Sequence, residues 1–278
     1  MVSYIEQLLY LLTKMLCLGS YLPPLKYNSK KFDSTSLEIL ANGPSLMKHI
    51  DKLLANNEGD SQICVMNFMG NESFFPQLKP QIYCLADPIF FAPKDKFEMV
   101  KTLYQNLDNL VTWDMELYIP ADFLKKRFLS FSKITNPHIH VKYVWPIHYS
   151  GSIKVSYWLY KKGIASVTTR TIANMAVQVG INKGYKNIKL YGVDMSFFDS
   201  LQLNERGELC SVYQHLNEKP VLRPFRNPEG KILKVSEYII ERGLMFKSHD
   251  ELAGYAKYIG CNIINATPNT LLDSYQRL

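Results

Sequence analysis

An apolar run meets a tight turn in the segment Leu37-Glu38-Ile39-Leu40-Ala41-Asn42-Gly43-Pro44-Ser45-Leu46. The run predicts a buried strand, and Ser45 stands where the helix that follows needs its N-cap residue. A strand, a turn and a helix N-terminus in this order present backbone N–H groups and the positive end of the helix dipole to an anion. The segment therefore predicts an anion-binding turn, in which Gly43 lets a ligand approach the backbone and Asn42 adds an amide. A plain strand-to-helix turn with a capping serine has the same pattern and is the alternative.

Short apolar runs alternate with helical periods in the rest of the chain. The pattern predicts strands at Leu37–Ala41, Gln62–Asn67, Gln81–Ala86, Leu110–Thr112, His140–Val144, Asn187–Tyr191 and Asn262–Ile264. It predicts helices at Ser45–Ala55, Lys94–Leu107, Ala121–Ser132, Thr169–Lys183 and Ser248–Tyr258. This alternation is typical of an α/β fold, and we expect βαβ units with a mostly parallel sheet over residues 36–278.

Composition restricts the partners that this chain can have. The chain has 278 residues and a net charge of +7, which favours an anionic partner such as a nucleotide, a membrane surface or a nucleic acid. Specific nucleic-acid binding is not expected, because no helix-turn-helix, zinc-finger or RNP-like segment accompanies the basic residues. The five cysteines are widely spaced, which indicates a reducing compartment and no structural metal.

Residues 1–35 are predicted to form an amphipathic helix and a linker. The apolar face of residues 3–18 is too short to span a bilayer. Either the helix packs on the main domain or on a partner subunit, as in a homo-oligomer, or it lies in a membrane interface as a peripheral anchor.

A turn-rich region at about 198–247 interrupts the α/β pattern. Loops of this length inside a compact domain are usually functional, so the region predicts a lid, although a solvated excursion would have the same composition. The lid holds an arginine-rich cluster made of Arg223, Arg226, Arg242 and Tyr213. It also holds His215, which with Tyr213 and Glu218 nearby suits a catalytic base; a solvated loop histidine is the alternative. His249 is predicted to begin and cap the last helix.

Polar residues follow three successive strands, namely Asn42, Asn67 and Asp87. Parallel strands end at one edge of a sheet, so these side chains should lie together, where amides and a carboxylate suit the hydroxyls and phosphates of a sugar nucleotide. The turn is neither G-x-G-x-x-G nor a Walker A loop, which argues against dinucleotide and ATP binding. The nearest match to a metal-binding Asp-x-Asp is Asp114-Met115-Glu116, so we expect no metal; hydroxyls, basic side chains or a helix N-terminus would then neutralise a leaving phosphate.

Five segments between residues 37 and 273 resemble the bacterial sialyltransferases of glycosyltransferase family 42. They are Leu40-Ala41-Asn42-Gly43-Pro44-Ser45-Leu46, Met66-Asn67-Phe68, Leu85-Ala86-Asp87-Pro88-Ile89-Phe90-Phe91, Gly184-Tyr185-Lys186-Asn187-Ile188-Lys189-Leu190-Tyr191-Gly192-Val193-Asp194 and Thr267-Pro268-Asn269-Thr270-Leu271-Leu272. The resemblance implies a Rossmann-like domain with a lid, a CMP-activated sialic acid as co-substrate, inversion of the anomeric centre, and neither metal nor cofactor. The donor-binding residues that it implies are Asn42, Gly43, Ser45, Asn67, Asp87, Thr171, Gly192, Asp194, Thr267 and Asn269.

Three positions depart from the family pattern. Asp87 stands where the family has Asn, Ser196 where it has Tyr, and the segment at Thr171 lacks the serine that recognises the sugar carboxylate. We therefore expect transfer of sialic acid or a related acidic sugar to a surface glycan (a lipo-oligosaccharide, O-antigen or capsule) in the bacterial cytoplasm, at the inner face of the inner membrane. The alternatives are a pyrophosphate-transfer enzyme that uses ATP and Mg²⁺, and a non-catalytic nucleotide-binding subunit of a glycan assembly machinery.

Overall fold

A computed structural model describes residues 6, 9–10, 12–13, 35–55, 61–91, 97–121, 132–149, 151–199, 201–213, 221–226 and 230–278. The strands of these ranges are β1 (Ser36–Leu40), β2 (Ser61–Met66), β3 (Ile82–Cys84), β4 (Met115–Pro120), β5 (Ile139–Val144), β6 (Asn187–Tyr191), β7 (Gln202–Leu203), β8 (Leu209–Tyr213), β9 (Val221–Pro224), β10 (Asn262–Asn265) and β11 (Gln276–Arg277). The α-helices of the same ranges are α1 (Ile50–Ala55), α2 (Phe75–Leu78), α3 (Phe97–Leu110), α4 (Ile153–Lys161), α5 (Ile172–Lys183) and α6 (Val235–Ile259). Short 3-10 helices span Pro44–Lys48, Asn67–Asn71 and Pro88–Phe90.

A parallel sheet forms the centre of the fold. Within the described ranges it has eight strands in the order β11-β10-β6-β1-β2-β3-β4-β5, and neighbouring strands pair in parallel throughout. The strand order reverses between β1 and β6, so a crevice opens at the carboxyl ends of these two strands. The predicted α/β fold with a mostly parallel, Rossmann-like sheet is confirmed.

Both faces of the sheet are buried, because successive residues of each strand point to opposite sides. In β1, Ile39 packs into a core that includes Val179 of α5. Its neighbour Leu40 enters a second core that includes Leu103 of α3. The sheet is therefore the middle layer between two layers of helices.

Several predicted elements differ from the structure. The strand predicted at Leu110–Thr112 is wrong, because Leu110 ends α3 and the strand begins at Met115. The helix predicted over Ser45–Ala55 is divided into a 3-10 helix and α1. The sequence pattern missed α4 altogether, and most of the helix predicted at Ala121–Ser132 lies outside the described residues.

Much of the predicted lid has regular structure. In the described ranges, β7, β8 and β9 form a three-stranded antiparallel sheet. The last helix begins at Val235, not at Ser248, so it accounts for the final part of the region 198–247. His215 lies outside the described residues. The function of the region as a lid stays a prediction.

Few residues of the predicted N-terminal helix are described. Those that are described are helical, and the Thr13 hydroxyl donates to the carbonyl of Leu9 at 2.8 Å. Contact of residues 3–18 with a membrane or a partner stays a prediction. No helix within the described ranges is long and apolar enough to cross a membrane.

The loops that follow β1 and β6 touch through two glycines. The N–H of Gly43 donates to the carbonyl of Gly192 at 2.9 Å, and a Cβ on Gly43 would lie 1.8 Å from Asp194 Oδ2. Gly192 has a φ of +70°, and a Cβ there would lie 2.4 Å from the carbonyl oxygen of Ala41. Both positions therefore require glycine because of close approach, and Gly192 also because of its backbone conformation.

We expect Gly192→Ala to destabilise the protein more than Gly184→Ala. Both glycines flank β6 at positive φ, but nothing lies within 4 Å of a Cβ on Gly184. Each substitution places a Cβ on a left-handed residue, which lowers the free energy of unfolding by roughly 1–2 kcal/mol. The Gly192 substitution adds overpacking that typically costs roughly 1–3 kcal/mol more. Denaturant unfolding measures the difference, and equal losses of stability would contradict the close contact of the two loops.

Candidate functional site

A larger and a smaller cavity adjoin each other at the carboxyl edge of the parallel sheet. The larger, of about 400 Å³, lies beyond β2–β5 at the start of α5, and the smaller, of about 270 Å³, lies between the ends of β1 and β6, β8 and α6. Asn67, Thr171 and Ile172 line both, so we refer to the two cavities together as the cleft. It lies where ligands of open α/β sheets bind.

Two asparagines that line the cleft carry side-chain oxygens without a partner in the described ranges. Asn42 lines the smaller cavity and Asn67 lines both. The Oδ1 atom of each is buried and finds no hydrogen-bond partner in the described part of the chain. Buried polar atoms in native proteins are nearly always paired, so these two oxygens are suited to accept from the hydroxyl or amino groups of a ligand.

The backbone of Asn67 is held in an unusual conformation. Its φ is +51°, in the left-handed region that asparagine tolerates better than most residues. The buried Tyr83 hydroxyl donates to the Asn67 carbonyl at 2.5 Å and accepts from the N–H of Gly70 at 2.9 Å. Tyr83 therefore fixes the Asn67 backbone from below the cleft.

Asp87 lines the larger cavity, at the edge of the sheet where its position after a strand predicted it. Its carboxylate also accepts from the N–H of Ile89 at 2.9 Å and caps the 3-10 helix Pro88–Phe90. The structure thus brings Asn42, Asn67 and Asp87 to one edge of the sheet.

Ser45 does not cap the helix, contrary to the sequence prediction. Gly43 is the N-cap residue, and Ser45 is buried inside the 3-10 helix. The Ser45 hydroxyl donates to Asp194 Oδ2 at 2.9 Å, and its N–H lies 3.4 Å from the same oxygen. A carboxylate of the chain itself thus occupies the position at which the sequence predicted a bound anion.

Asp194 lines the smaller cavity together with Gly43 and Gly192. Burial raises the pKa of the Asp194 carboxyl above its ordinary value, and the hydrogen bonds from Ser45 oppose this shift. A half-buried carboxylate with one oxygen engaged is a suitable acceptor for ribose or sugar hydroxyls.

Thr171 caps α5 and lines both cavities. It forms a capping box with Asn174, in which the Thr171 N–H donates to Asn174 Oδ1 at 3.0 Å. The preceding residue, Arg170, lines the larger cavity and donates to Glu241 at 2.8 Å. No local sequence pattern marks Arg170, because it reaches the cleft only through the position of the α5 cap and its pairing with Glu241 on α6.

Thr267 and Asn269 line neither cavity within the described ranges. Thr267 is buried and its hydroxyl oxygen accepts from the N–H of Val193 at 3.1 Å, while the hydroxyl of Thr270 donates to the Val193 carbonyl at 2.8 Å. This segment supports the loop after β6 from behind. Its contact with a nucleotide stays a prediction that the geometry does not favour.

The predicted catalytic residues are at the limit of the described structure. Tyr213 ends β8, where its backbone pairs with Val221, and His215 lies outside the described residues. Ser211 and Val212 of β8 line the smaller cavity, so the strand that leads to His215 borders the cleft.

His249 does not begin a helix, contrary to the prediction. It lies fully buried in the middle of α6, with Nδ1 2.9 Å from the Tyr275 hydroxyl. Burial lowers the pKa of His249 to about 4. These contacts indicate a structural role.

The acidic pair Asp114 and Glu116 lies at the start of β4, at the opposite edge of the sheet from the cleft. Glu116 accepts from the buried Lys183, and Asp114 lies 3.1 Å from His138 Nδ1. Among the described residues, no three His, Cys, Asp or Glu side chains are arranged to hold a metal ion.

No family model matches the sequence, and no curated protein matches it. The structure is similar to a solved structure of the MAf glycosyltransferase from Magnetospirillum magneticum AMB-1, with a TM-score of 0.51 and 14% sequence identity. The similarity covers 88% of this chain and 33% of that protein, so the chain spans about a third of the length of its structural relative. At this level of sequence identity the similarity shows a shared fold and nothing further.

The pH dependence of stability should report the environment of Asp194. A raised folded-state pKa means that protonation stabilises the folded state; this gain is complete below the unfolded pKa and is lost as the pH rises through the folded pKa. We therefore expect the wild type to gain stability relative to Asp194→Asn as the pH falls from neutrality into the carboxyl range. Asparagine keeps an acceptor for Ser45, so denaturant unfolding of the two proteins across pH isolates the charge. If the difference in free energy of unfolding between the two proteins does not vary with pH, the pKa of Asp194 is not raised in the folded state.

Proposed function

We propose that the protein is a glycosyltransferase that transfers an acidic sugar, sialic acid or a relative, from a CMP-activated donor to a surface glycan. One observation carries the proposal. The buried Oδ1 atoms of Asn42 and Asn67 lack partners in the described structure, at the point where the strand order reverses. A ligand rich in hydroxyl groups provides the donors that these oxygens need.

The shape of the cleft supports a reaction between two substrates. Gly192 and Asp194 line the smaller cavity, where we infer that the ribose binds, and Asp87 lines the larger cavity, where we infer that the hydroxyls of a second sugar bind. Asn67 and Thr171 line both cavities, so the reacting carbon would lie beside them. The fold of the MAf glycosyltransferase supports glycosyl transfer in general, and the sequence resemblance supports the CMP-sugar donor.

The proposed reaction is an inverting displacement. An acceptor hydroxyl forms a bond to the anomeric carbon as the bond from that carbon to the phosphate oxygen breaks, and the electron pair leaves with CMP. His215 is the proposed base that takes the hydroxyl proton, because the strand that precedes it borders the cleft. The proposal requires no metal, and it places the enzyme in the bacterial cytoplasm with residues 3–18 at the inner membrane.

We expect CMP to raise the melting temperature in the absence of divalent metal, because a ligand that binds the native state stabilises it by mass action. Asn42→Ala and Asn67→Ala should each lower kcat/KM for the CMP-sugar donor by an amount that corresponds to roughly 1–3 kcal/mol, the cost of one hydrogen bond to a buried group. The matched control is Asn262→Ala, at an exposed position on the opposite edge of the sheet, which should behave as wild type. If UDP, or ATP with Mg²⁺, raises the melting temperature of the wild type and CMP does not, the donor assignment is wrong.

We expect His215→Ala to lose about 10²–10⁴-fold in transfer rate while CMP binding is retained, since general-base catalysis contributes about this factor. His249→Ala should instead lower the melting temperature, because it removes a buried ring and leaves the Tyr275 hydroxyl without its partner. Transfer rates, CMP titrations and thermal melts of both variants separate the two roles. Loss of transfer in a stable His249 variant would move the base to His249, and full activity of both variants would exclude both histidines.

A further inference from the structure

An arginine borders the smaller cavity inside a cage of aromatic rings. The guanidinium carbon of Arg242 lies 4.7 Å from the ring centroid of Phe197 and 4.8 Å from that of Tyr238. The ring of Phe225 lies 5.9 Å away, and all four residues line the cavity. Aromatic faces attract the guanidinium and hold its plane, so the orientation of its in-plane N–H donors is restricted.

Contacts among the rings hold the cage together. The Tyr238 hydroxyl donates to the carbonyl of Phe197 at 2.8 Å, and the centroids of Phe225 and Tyr238 are 4.4 Å apart. The cage thus joins the loop after β6, the segment after β9 and the start of α6. A charge held in this way needs little reorganisation when a ligand binds.

The positive charge of Arg242 lacks an acidic partner among the described residues. Its Nη1 donates to the thioether sulfur of Met245 at 3.1 Å, a weak acceptor, and its buried Nε finds no partner in the same ranges. By contrast, Arg170 in the larger cavity is paired with Glu241 at 2.8 Å. Asp194, the acidic residue of the smaller cavity, accepts from Ser45.

We propose that Arg242 binds the phosphate of the nucleotide donor and stabilises the charge that gathers on this phosphate as CMP leaves. The proposal rests on the proposed function. The N–H of Ser45, in the 3-10 helix after β1, faces the carboxylate of Asp194. A phosphate in the smaller cavity must therefore be neutralised by another group. A planar guanidinium donates two parallel hydrogen bonds to a phosphate, which suits this role.

The test compares the affinities of CMP and cytidine, because their ratio isolates the contribution of the phosphate. In the wild type CMP should bind more tightly, and Arg242→Gln should reduce the CMP-to-cytidine affinity ratio by about ten- to a hundredfold, the value of a charge-assisted hydrogen bond. Cytidine affinity should change little, which shows that the cavity is intact. Arg226→Gln, at an arginine that pairs with Glu208 outside the cleft, removes the same charge and should keep the wild-type ratio.

Arg242→Lys provides a second variant if the glutamine substitution unfolds the cage. Lysine keeps the charge but loses the planar fork, so an intermediate ratio is expected. A wild-type ratio in either folded Arg242 variant overturns the proposal. If the ratio holds and the affinity difference between CMP-N-acetylneuraminate and CMP collapses instead, Arg242 binds the sugar carboxylate and the phosphate assignment is wrong.

The same titrations distinguish this proposal from the donor assignment. They are repeated with the pairs UMP and uridine, and AMP and adenosine. If CMP fails to bind but another pair shows a phosphate contribution that depends on Arg242, the CMP donor is wrong and the phosphate site stands. If no nucleotide binds the wild type, both proposals fall.

Discussion

The cleft depends on the direct contact between the loops that follow β1 and β6. Gly43 and Gly192 meet through a backbone hydrogen bond of 2.9 Å, and the Ser45 hydroxyl donates to Asp194 at the same distance. The helices that follow these strands lie on opposite faces of the sheet, with Leu53 of α1 in one core and Leu252 of α6 in the other. The elements therefore diverge above the contact, and the space between them is the site. A side chain at either glycine would push the two loops apart.

This contact also determines how charge is distributed in the cleft. The carboxylate of Asp194 accepts from Ser45 at the start of the 3-10 helix, so the donors of Ser45 hold two loops of the protein together. The amides of Asn42 and Asn67 then supply acceptors, and the caged Arg242 supplies the positive charge of the smaller cavity. The two kinds of group suit the two halves of a sugar nucleotide, which has hydroxyl donors on its sugars and a phosphate between them.

Buried residues behind the cleft orient these groups. Tyr83 holds the Asn67 backbone, Thr267 and Thr270 hold both polar groups of Val193, and Asn174 completes the cap at Thr171. All of these contacts are made between residues of the chain itself. The site is therefore organised by the fold itself, which reduces the cost of ordering it when a substrate binds.

The sequence alone predicted a mostly parallel sheet and most of the strands at its centre. Strands of a buried parallel sheet are apolar runs bounded by turn residues, so β6 is predicted with its observed bounds, and the polar residues after β1, β2 and β3 are correctly expected at one edge. The strand β4 escapes this pattern because Glu116 lies within it, and its buried partner Lys183 is 67 residues away. Periodicity reports which face of an element is buried, but it carries no information about which distant residue satisfies a charge.

Only the tertiary structure decided the roles of the polar residues. Ser45 has the pattern of a helix cap, yet its partner is Asp194, 149 residues later in the chain. His249 has the pattern of a helix start, yet α6 extends past it on both sides and buries it against Tyr275. Arg242 is one of several basic residues in a turn-rich region, and it becomes distinct only because Phe197, Phe225 and Tyr238 converge on it. The physical reason is that burial repeats with the local period of a helix or strand, whereas the partner of a hydrogen bond or a charge depends on how remote segments pack.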